Sequence, residues 1–432
     1  MQLFDIKNSS FIKRSSLMLG NILNAGLGFL TFGLLARGLG KDDFGIWVLY
    51  LSVFGFIEML RAGFIYQALV KFIASCKNAE QEKRYILGAW QISTWLTLGI
   101  LAILLFSKAL FANQLSAQLA GFLTNQYVVV LCLMLPINMA TMLFHAKQKF
   151  QKLWLINFLQ SFPFLVYLFF VKEIDVQLVV NTHLIVRIGL LAYVLITEKQ
   201  IFPQIKDLFR LPNKTNSAYS ELMQFSRFTV FSTLGTNLLK SVDIWLINHF
   251  GGASLVAIYQ IPLKLVEVFE IPLRTWAMSA YPKFSTLVAE KRFDEFQQVF
   301  KKEIKNFTFG MLPVIGICFH FSEELVTFYA GKGYVDSIIL LKLFLIYILL
   351  LPLDRYLGIA LDSLNMPQIN TFKVFLMLFV NVLGDIFVLV KGLGLAAIVG
   401  VTLINITFGI VIGLYFMKQQ FNEKHKFVLS KS

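Results

Sequence analysis

The chain has 432 residues, of which 57% are hydrophobic and only 15% charged, with a formal net charge of +14 and a mean hydropathy of +0.69. A soluble chain of this length carries about 25% charge and divides into two or three domains, so a water-soluble globular protein is excluded. The positive charge follows membrane topology, as its distribution below indicates, and calls for no nucleic-acid-binding face.

Apolar runs long enough to cross roughly 30 Å of hydrocarbon recur along the whole length. In chain order they predict spans at about 14–37, 44–70, 86–106, 127–145, 153–171 and 176–197, then 226–249, 254–280, 306–322, 337–361, 368–390 and 393–417. The fold class expected is an all-α membrane protein with about twelve transmembrane helices in two six-helix pseudo-repeats. Lys13 and Arg14 precede the first run, which is too long for a signal-peptide core and reads as a retained helix. The three cysteines and five histidines are dispersed without ligand spacing, so no metal site and no cofactor are expected.

With the N-terminus inside, 26 of the 39 Lys and Arg fall in cytoplasmic segments, six in outer loops and seven within helices. That asymmetry places both termini in the cytoplasm by the positive-inside rule. The longest polar connection, 197–227, contains Pro203 and Pro212 and separates six spans from six. The organisation expected is an N-terminal bundle over 1–200, a cytoplasmic linker over 201–225 and a C-terminal bundle over 226–432. Within the latter, the basic amphipathic stretch 286–305 can lie on the inner leaflet, with Val288, Phe293, Phe296 and Phe300 sharing a face.

An even number of spans per half gives both halves the same orientation, as in parallel-repeat transporters. Shifting the second half back by 212 positions aligns residues 40–72 with 252–284 without a gap. Gly40 then meets Gly252, Ile46 meets Ile258, Ala68 meets Ala280, Glu58 meets Glu270, and Lys71-Phe72 meets Lys283-Phe284. Arg61 and Arg274 come within one residue of equivalence.

The eighth span, "YQIPLKLVEVFEIPLRTWAMSAYPKFS", carries Lys264, Glu267, Glu270 and Arg274 in one 120° arc of a helix, beside Pro262 and Pro272. Charges at bilayer depth cost about 2.5–3.5 kcal/mol each on insertion scales, so such a stripe normally faces protein or a water-filled cavity. The spacings predict Lys264–Glu267 and Glu270–Arg274 pairs. Glu58, Arg61, Arg187, Lys240, Asp243, Lys342, Asp354, Arg355 and Asp385 add further charge within spans. The pattern points to a polar cavity in which Arg61, Arg187, Lys264 and Arg274 bind an anionic substrate. Glu58, Asp243, Glu267 and Glu270 are the candidate coupling or cavity carboxylates. Arginine suits phosphate or pyrophosphate because its planar fork can grip two oxygens.

"LLARGLGKDDFGIWVLYLSVFGFIEMLRAGF" (34–64) resembles the first inter-helix turn and second helix of bacterial polysaccharide and O-antigen flippases of the Wzx type. These belong to the multidrug/oligosaccharidyl-lipid/polysaccharide (MOP) exporter superfamily. "VAIYQIPLKLVEVFEIPLRTWAMSAYPKFS" (256–285) resembles that family's eighth helix, from its Ala257-Ile258-Tyr259 entry to its Tyr281-Pro282-Lys283-Phe284-Ser285 exit. The resemblance implies two six-helix bundles around a central cavity in the bacterial cytoplasmic membrane. It implies movement of an undecaprenyl-pyrophosphate-linked oligosaccharide by alternating access, with Arg61 and Arg274 at the lipid-linked phosphates and H⁺ or Na⁺ coupling open. The partners it implies are the lipid-linked oligosaccharide, membrane lipids and other polysaccharide-assembly proteins. The alternative is a cation-coupled drug or metabolite antiporter of the same superfamily. A membrane enzyme is disfavoured, because the outer loops are short and His183, the clearest mid-helix histidine, has no partner visible in the sequence.

Overall fold

The computed structural model describes residues 20, 22–76, 78–111, 126–208 and 217–429. The start of the first predicted span (14–19), residues 209–216 of the predicted linker and the side chain of Lys240 lie outside the described residues.

Every described element is helical, as a hydrocarbon environment demands: backbone N–H and C=O groups with no water to bind must be satisfied within their own segment. The long helices are α1 (Ile22–Gly38), α2 (Lys41–Ala74), α3 (Ala79–Phe111), α4 (Tyr127–Ala146), α5 (Phe150–Phe170), α6 (Val176–Thr197), α7 (Ser217–Gly251), α8 (Ala253–Ala289), α9 (Phe293–His320), α10 (Ser322–Ala330), α11 (Ser337–Ser363), α12 (Pro367–Val390) and α13 (Leu395–Leu429). The predicted span 306–322 lies almost wholly within α9, and α10 follows it at a 73° bend. Each of the twelve predicted spans therefore has its helix.

Among the described residues, eight helices are long and apolar enough to cross a membrane, or nine if the bent pair counts as one. Helix α8 is not among them despite its 37 residues, because four charges interrupt its apolar sequence. The protein is a multi-pass membrane protein, and the large exposed side chains of its outer faces, such as Phe169, Phe170, Ile196, Phe309 and Phe387, are the apolar surface that lipid requires.

The chain divides into two compact units, Met1–Asn237 and Leu238–Ser432, with the division inside α7. In the first unit, α2 packs on α3, α4 and α6, and α4 packs on α6. The chain leaving α6 is held to α3: Trp90 Nε1 donates to the Ile201 carbonyl (3.1 Å) and Gln91 Nε2 to that of Asp207 (2.9 Å). Tyr85 Oη donates to Glu221 at the start of α7 (2.5 Å). In the second unit, α11 is central, flanked by α8, α9 and α13, and α12 packs on α13.

The repeat seen in the sequence has a structural counterpart. The 212-residue shift brings Lys41, the first residue of α2, onto Ala253, the first residue of α8, and their caps Gly40 and Gly252 onto one another. Gly252 has φ of 85°, a left-handed conformation that lets α8 begin one residue after α7 ends. Ile46 and Ile258, Trp47 and Tyr259, and Ala68 and Ala280 are buried in both units, so the shift preserves the inward face as well as the length.

The stretch 286–305 is not a separate surface helix. It comprises the end of α8, a turn at Glu290–Arg292 and the first part of α9. Phe293, Phe296 and Phe300 are buried, and Phe284 stacks near Phe296 and Phe300 at ring distances of 4.9 and 6.3 Å. Protein covers the apolar face, so the side left outward is the charged one.

Candidate functional site

Three groups of polar side chains interrupt the apolar helices, one in the first unit and two in the second. In the first unit, Arg61 on α2 is 2% exposed and points inward. Its Nη1 donates to the Leu131 carbonyl on α4 (2.5 Å) and to Thr97 Oγ1 on α3 (3.4 Å). Its Nη2 reaches both oxygens of Glu58, one turn earlier, at 2.6 and 2.7 Å. Asn138 on α4 also donates to Glu58. The spacing of three residues puts Glu58 and Arg61 on one helix face, and burial strengthens their pairing by excluding water.

Arg187 on α6 lies within electrostatic reach of Glu58. Among the described residues only its Nη2 has a partner, His183 Nε2 at 3.0 Å, while Nε and Nη1 are buried without an acceptor. His183 Nδ1 meets Tyr50 Oη at 3.2 Å, and Tyr127 donates to the Tyr50 carbonyl. Trp47, Tyr50, Phe54 and Phe164 surround the imidazole with ring centroids 5.7–6.2 Å away. Helix α6 is started in register by Asp175, whose carboxylate caps the Leu178 N–H (2.7 Å). The histidine that lacked a visible partner in the sequence thus has two.

In the second unit, Asp243 on α7 accepts from Tyr259 Oη on α8 (2.6 Å) and from Asn381 Nδ2 on α12 (2.7 Å). Asn381 also donates to Asp385, one turn further along α12 (2.9 Å), and Asn405 on α13 donates to Asn381 Oδ1 (3.1 Å). Asn381 Nδ2 thus bridges the Asp243 and Asp385 carboxylates. Gly384 lets α13 come close beside them, since a Cβ there would meet Val401 at 2.6 Å. Asp385 is wholly buried, and among the described residues its Oδ1 and that of Asn405 have no donor. Among the described residues no lysine or arginine pairs with either carboxylate. Two acids with only neutral partners and spare acceptor oxygens fit a proton or an alkali cation, whose ligands are oxygens of this kind.

The third group is the stripe on α8. Lys264 and Glu267 form the expected pair at 2.7 Å. The expected Glu270–Arg274 pair does not form: Arg355 on α11 stands 3.6 Å from Glu270 instead. Arg274 is exposed, and among the described residues no carboxylate pairs with it. Nearby, Lys373 on α12 is 2% exposed and bonds the half-buried Asp354 on α11 at 2.7 Å, a pair that its place at a predicted span end had concealed.

The eight residues singled out by the sequence therefore fall into different settings. Glu58 and Arg61 are brought together, with Arg187 beside them; Asp243 joins a different cluster; and Lys264, Glu267, Glu270 and Arg274 share one side of α8. Sequence reasoning missed Tyr50, Asn138, Tyr259, Asn381 and Asn405, and listed Asp385 among intramembrane charges without giving it a role. Lone asparagines inside apolar spans, and the Asn381/Asp385 and His183/Arg187 spacings of four, were the available signals.

The family described as "Polysaccharide biosynthesis protein" matches residues 13–288. A probable low-salt glycan biosynthesis flippase, Agl15 of Haloferax volcanii, is 18% identical over 410 residues, covering 94% of this chain and 83% of that one. An inward-facing multidrug resistance MATE family transporter of the MOP superfamily superposes with a TM-score of 0.75 at 16% identity, covering 93% of this chain and 96% of the other. The lipid II flippase MurJ, in an inward closed conformation, superposes at 0.73 with 12% identity over 94% and 89%. The family match spans more than half of the sequence and the structural matches nearly all of it, so this chain belongs to the polysaccharide biosynthesis protein family and has the MATE- and MurJ-like transporter fold.

Proposed function

We propose that the protein is a flippase that moves a lipid-linked glycan across the bacterial cytoplasmic membrane, both termini being cytoplasmic. The carrier is an undecaprenyl pyrophosphate and the cycle one of alternating access. The observation that carries this reading is Arg274: an exposed guanidinium, unpaired among the described residues, halfway along a 37-residue helix of a membrane protein. An unsatisfied cation at that depth is costly unless something anionic uses it, and a phosphate linkage on a lipid has the oxygen geometry that arginine grips best. Lys264, part-exposed on the same side of α8 in its pair with Glu267, would add a second contact. The glycan flippase from Haloferax volcanii and the lipid II flippase fold support the substrate class.

The Asp243–Asp385 cluster is the coupling site in this reading. Binding of H⁺ or Na⁺ there neutralises buried negative charge, and its release restores it, so the ion can bias two conformations of its unit by its differential affinity for them. Arg61 and Glu58 hold α2 to α3 and α4 and prepare the first unit rather than touch the headgroup.

The test is transbilayer movement of a purified lipid-linked oligosaccharide in proteoliposomes, read by exposure to an external glycosidase. Wild type is expected to expose the glycan, and Arg274→Ala to lose this while remaining folded. If wild type moves no lipid-linked sugar but expels organic cations down an ion gradient, the chain is an antiporter and the flippase reading fails.

A further inference from the structure

The geometry points to a second anion site, buried inside the first unit and centred on Arg187: a compact anion, a halide or a phosphate-type oxyanion, sits against the guanidinium donors that His183 leaves free, at the Nη1 end of the planar fork. The site is a property of the first unit alone and stands whether or not the chain flips glycans.

Donor accounting gives the sign of the ligand. Arginine has five N–H donors and no acceptor and stays charged at any physiological pH. Arg187 is 4% exposed and uses one nitrogen, Nη2, on His183. Since Arg187 can only donate, His183 Nε2 must accept, which puts the imidazole proton on Nδ1 and directs it at Tyr50 Oη. The Tyr50 hydroxyl then has its own hydrogen to spare. Among the described residues, Nε and Nη1 of Arg187 are buried with no acceptor. Glu58, the carboxylate within reach, already has both oxygens on Arg61 and one on Asn138. Among the described residues, the groups left without a partner on Arg187 are therefore donors.

Charge gives the same sign. The described cluster buries two guanidiniums, Arg61 and Arg187, against the single carboxylate of Glu58. A buried unpaired charge is strongly destabilising. A water would accept from Arg187 but bring two further donors of its own, and the walls nearest His183 are the rings of Trp47, Phe54 and Phe164, which offer no oxygen. An anion accepts only and balances the charge, so it meets both deficits. Its source can be a free ion or the phosphate of a lipid headgroup; the recognising chemistry is the same.

The experiment uses the full-length protein purified in detergent. Its unfolding temperature is titrated with sodium bromide or sodium phosphate, with sodium gluconate keeping the ionic strength constant. A ligand that binds the folded state raises the midpoint with concentration. Wild type is expected to show a saturable rise with bromide and phosphate. Arg187→Gln is expected to weaken the apparent affinity at least roughly tenfold, and Arg187→Lys, which keeps the charge but loses the planar fork, roughly threefold. Arg187→Lys keeps the test open should Arg187→Gln not fold. If neither free anion shifts wild type, the titration is repeated with an undecaprenyl phosphate in nanodiscs; a shift there that Arg187→Gln loses assigns the site to a lipid headgroup. No anion dependence in either setting, or equal dependence in wild type and both variants, overturns the proposal.

Discussion

The two units have the same helical repeat, but the buried charges they leave without an ion partner among the described residues are of opposite sign. In the first it is an arginine: Arg61 is engaged with Glu58, Thr97 and the Leu131 carbonyl, while Arg187 has donors left over. In the second it is a pair of acids: Asp243 and Asp385 share neutral amide and hydroxyl partners with acceptor oxygen left over, whereas the buried Lys373 is paired with Asp354. The equivalent positions Trp47 and Tyr259 are buried aromatics in both units, yet one borders an imidazole–guanidinium pair and the other donates to a carboxylate. A repeat therefore fixes where helices start and which face turns inward, while a few polar substitutions decide which sign of charge each bundle accommodates.

The contrast can be broken most severely at Arg61. Arg61→Ala is expected to leave Glu58 buried without its guanidinium and to cost about 3–5 kcal/mol of unfolding free energy. The double variant Glu58→Gln/Arg61→Met, which removes both charges, is expected to lose less than Arg61→Ala alone, and unfolding in detergent measures both. Equal losses would mean that the pair does not act as a unit.

In the second unit the same operation has the opposite sign. Asp385→Asn is expected to leave stability unchanged or improved, because it removes one of two neighbouring buried negative charges. Transport is expected to fall at least about tenfold, equivalent to about 1.4 kcal/mol, and to lose its dependence on the driving ion. Flux in proteoliposomes with and without an imposed ion gradient reads the effect. A variant still driven by the gradient would remove this cluster from coupling.

Smaller effects on folding sharpen the contrast at the helix surface. Arg274→Ala is expected to change stability by less than about 0.5 kcal/mol, as for a surface substitution with no partner lost, while abolishing glycan flipping. Lys264→Ala breaks a part-exposed pair with Glu267 and is expected to cost at most about 1 kcal/mol. Thermal unfolding of both variants beside the flipping assay separates a role in folding from one in transport.

Much of this was legible from local pattern. The span positions follow from apolar run length, and the α2–α8 repeat follows from matched residues at a constant shift. The Glu58–Arg61 and Lys264–Glu267 pairs follow from helical spacing, because partners three apart on one helix need no knowledge of the rest of the fold. The same rule misled at Glu270 and Arg274, where α11 brings Arg355 to the carboxylate. It was silent on Tyr50 and His183, 133 residues apart, and on Asp243 and Asn381, 138 apart. The amphipathic pattern of 286–305 gave its apolar face correctly, but a periodic pattern is equally compatible with lipid or with the phenylalanine cluster of α8 and α9 that covers it.

By itself the sequence determined a multi-pass helical membrane protein, its helix order, its internal repeat and the charged stripe of α8. Run length, periodicity and the energetic cost of charge in hydrocarbon act along a single segment and leave their mark there. Only the tertiary structure decided which charges are spent on one another and which are left over. That outcome depends on side chains from helices distant in the sequence meeting at one depth, and no local period records such meetings. It sets Arg61 against Glu58, leaves Arg187 with spare donors, and gathers Asp243, Asn381, Asp385 and Asn405 from three helices into one acidic cluster.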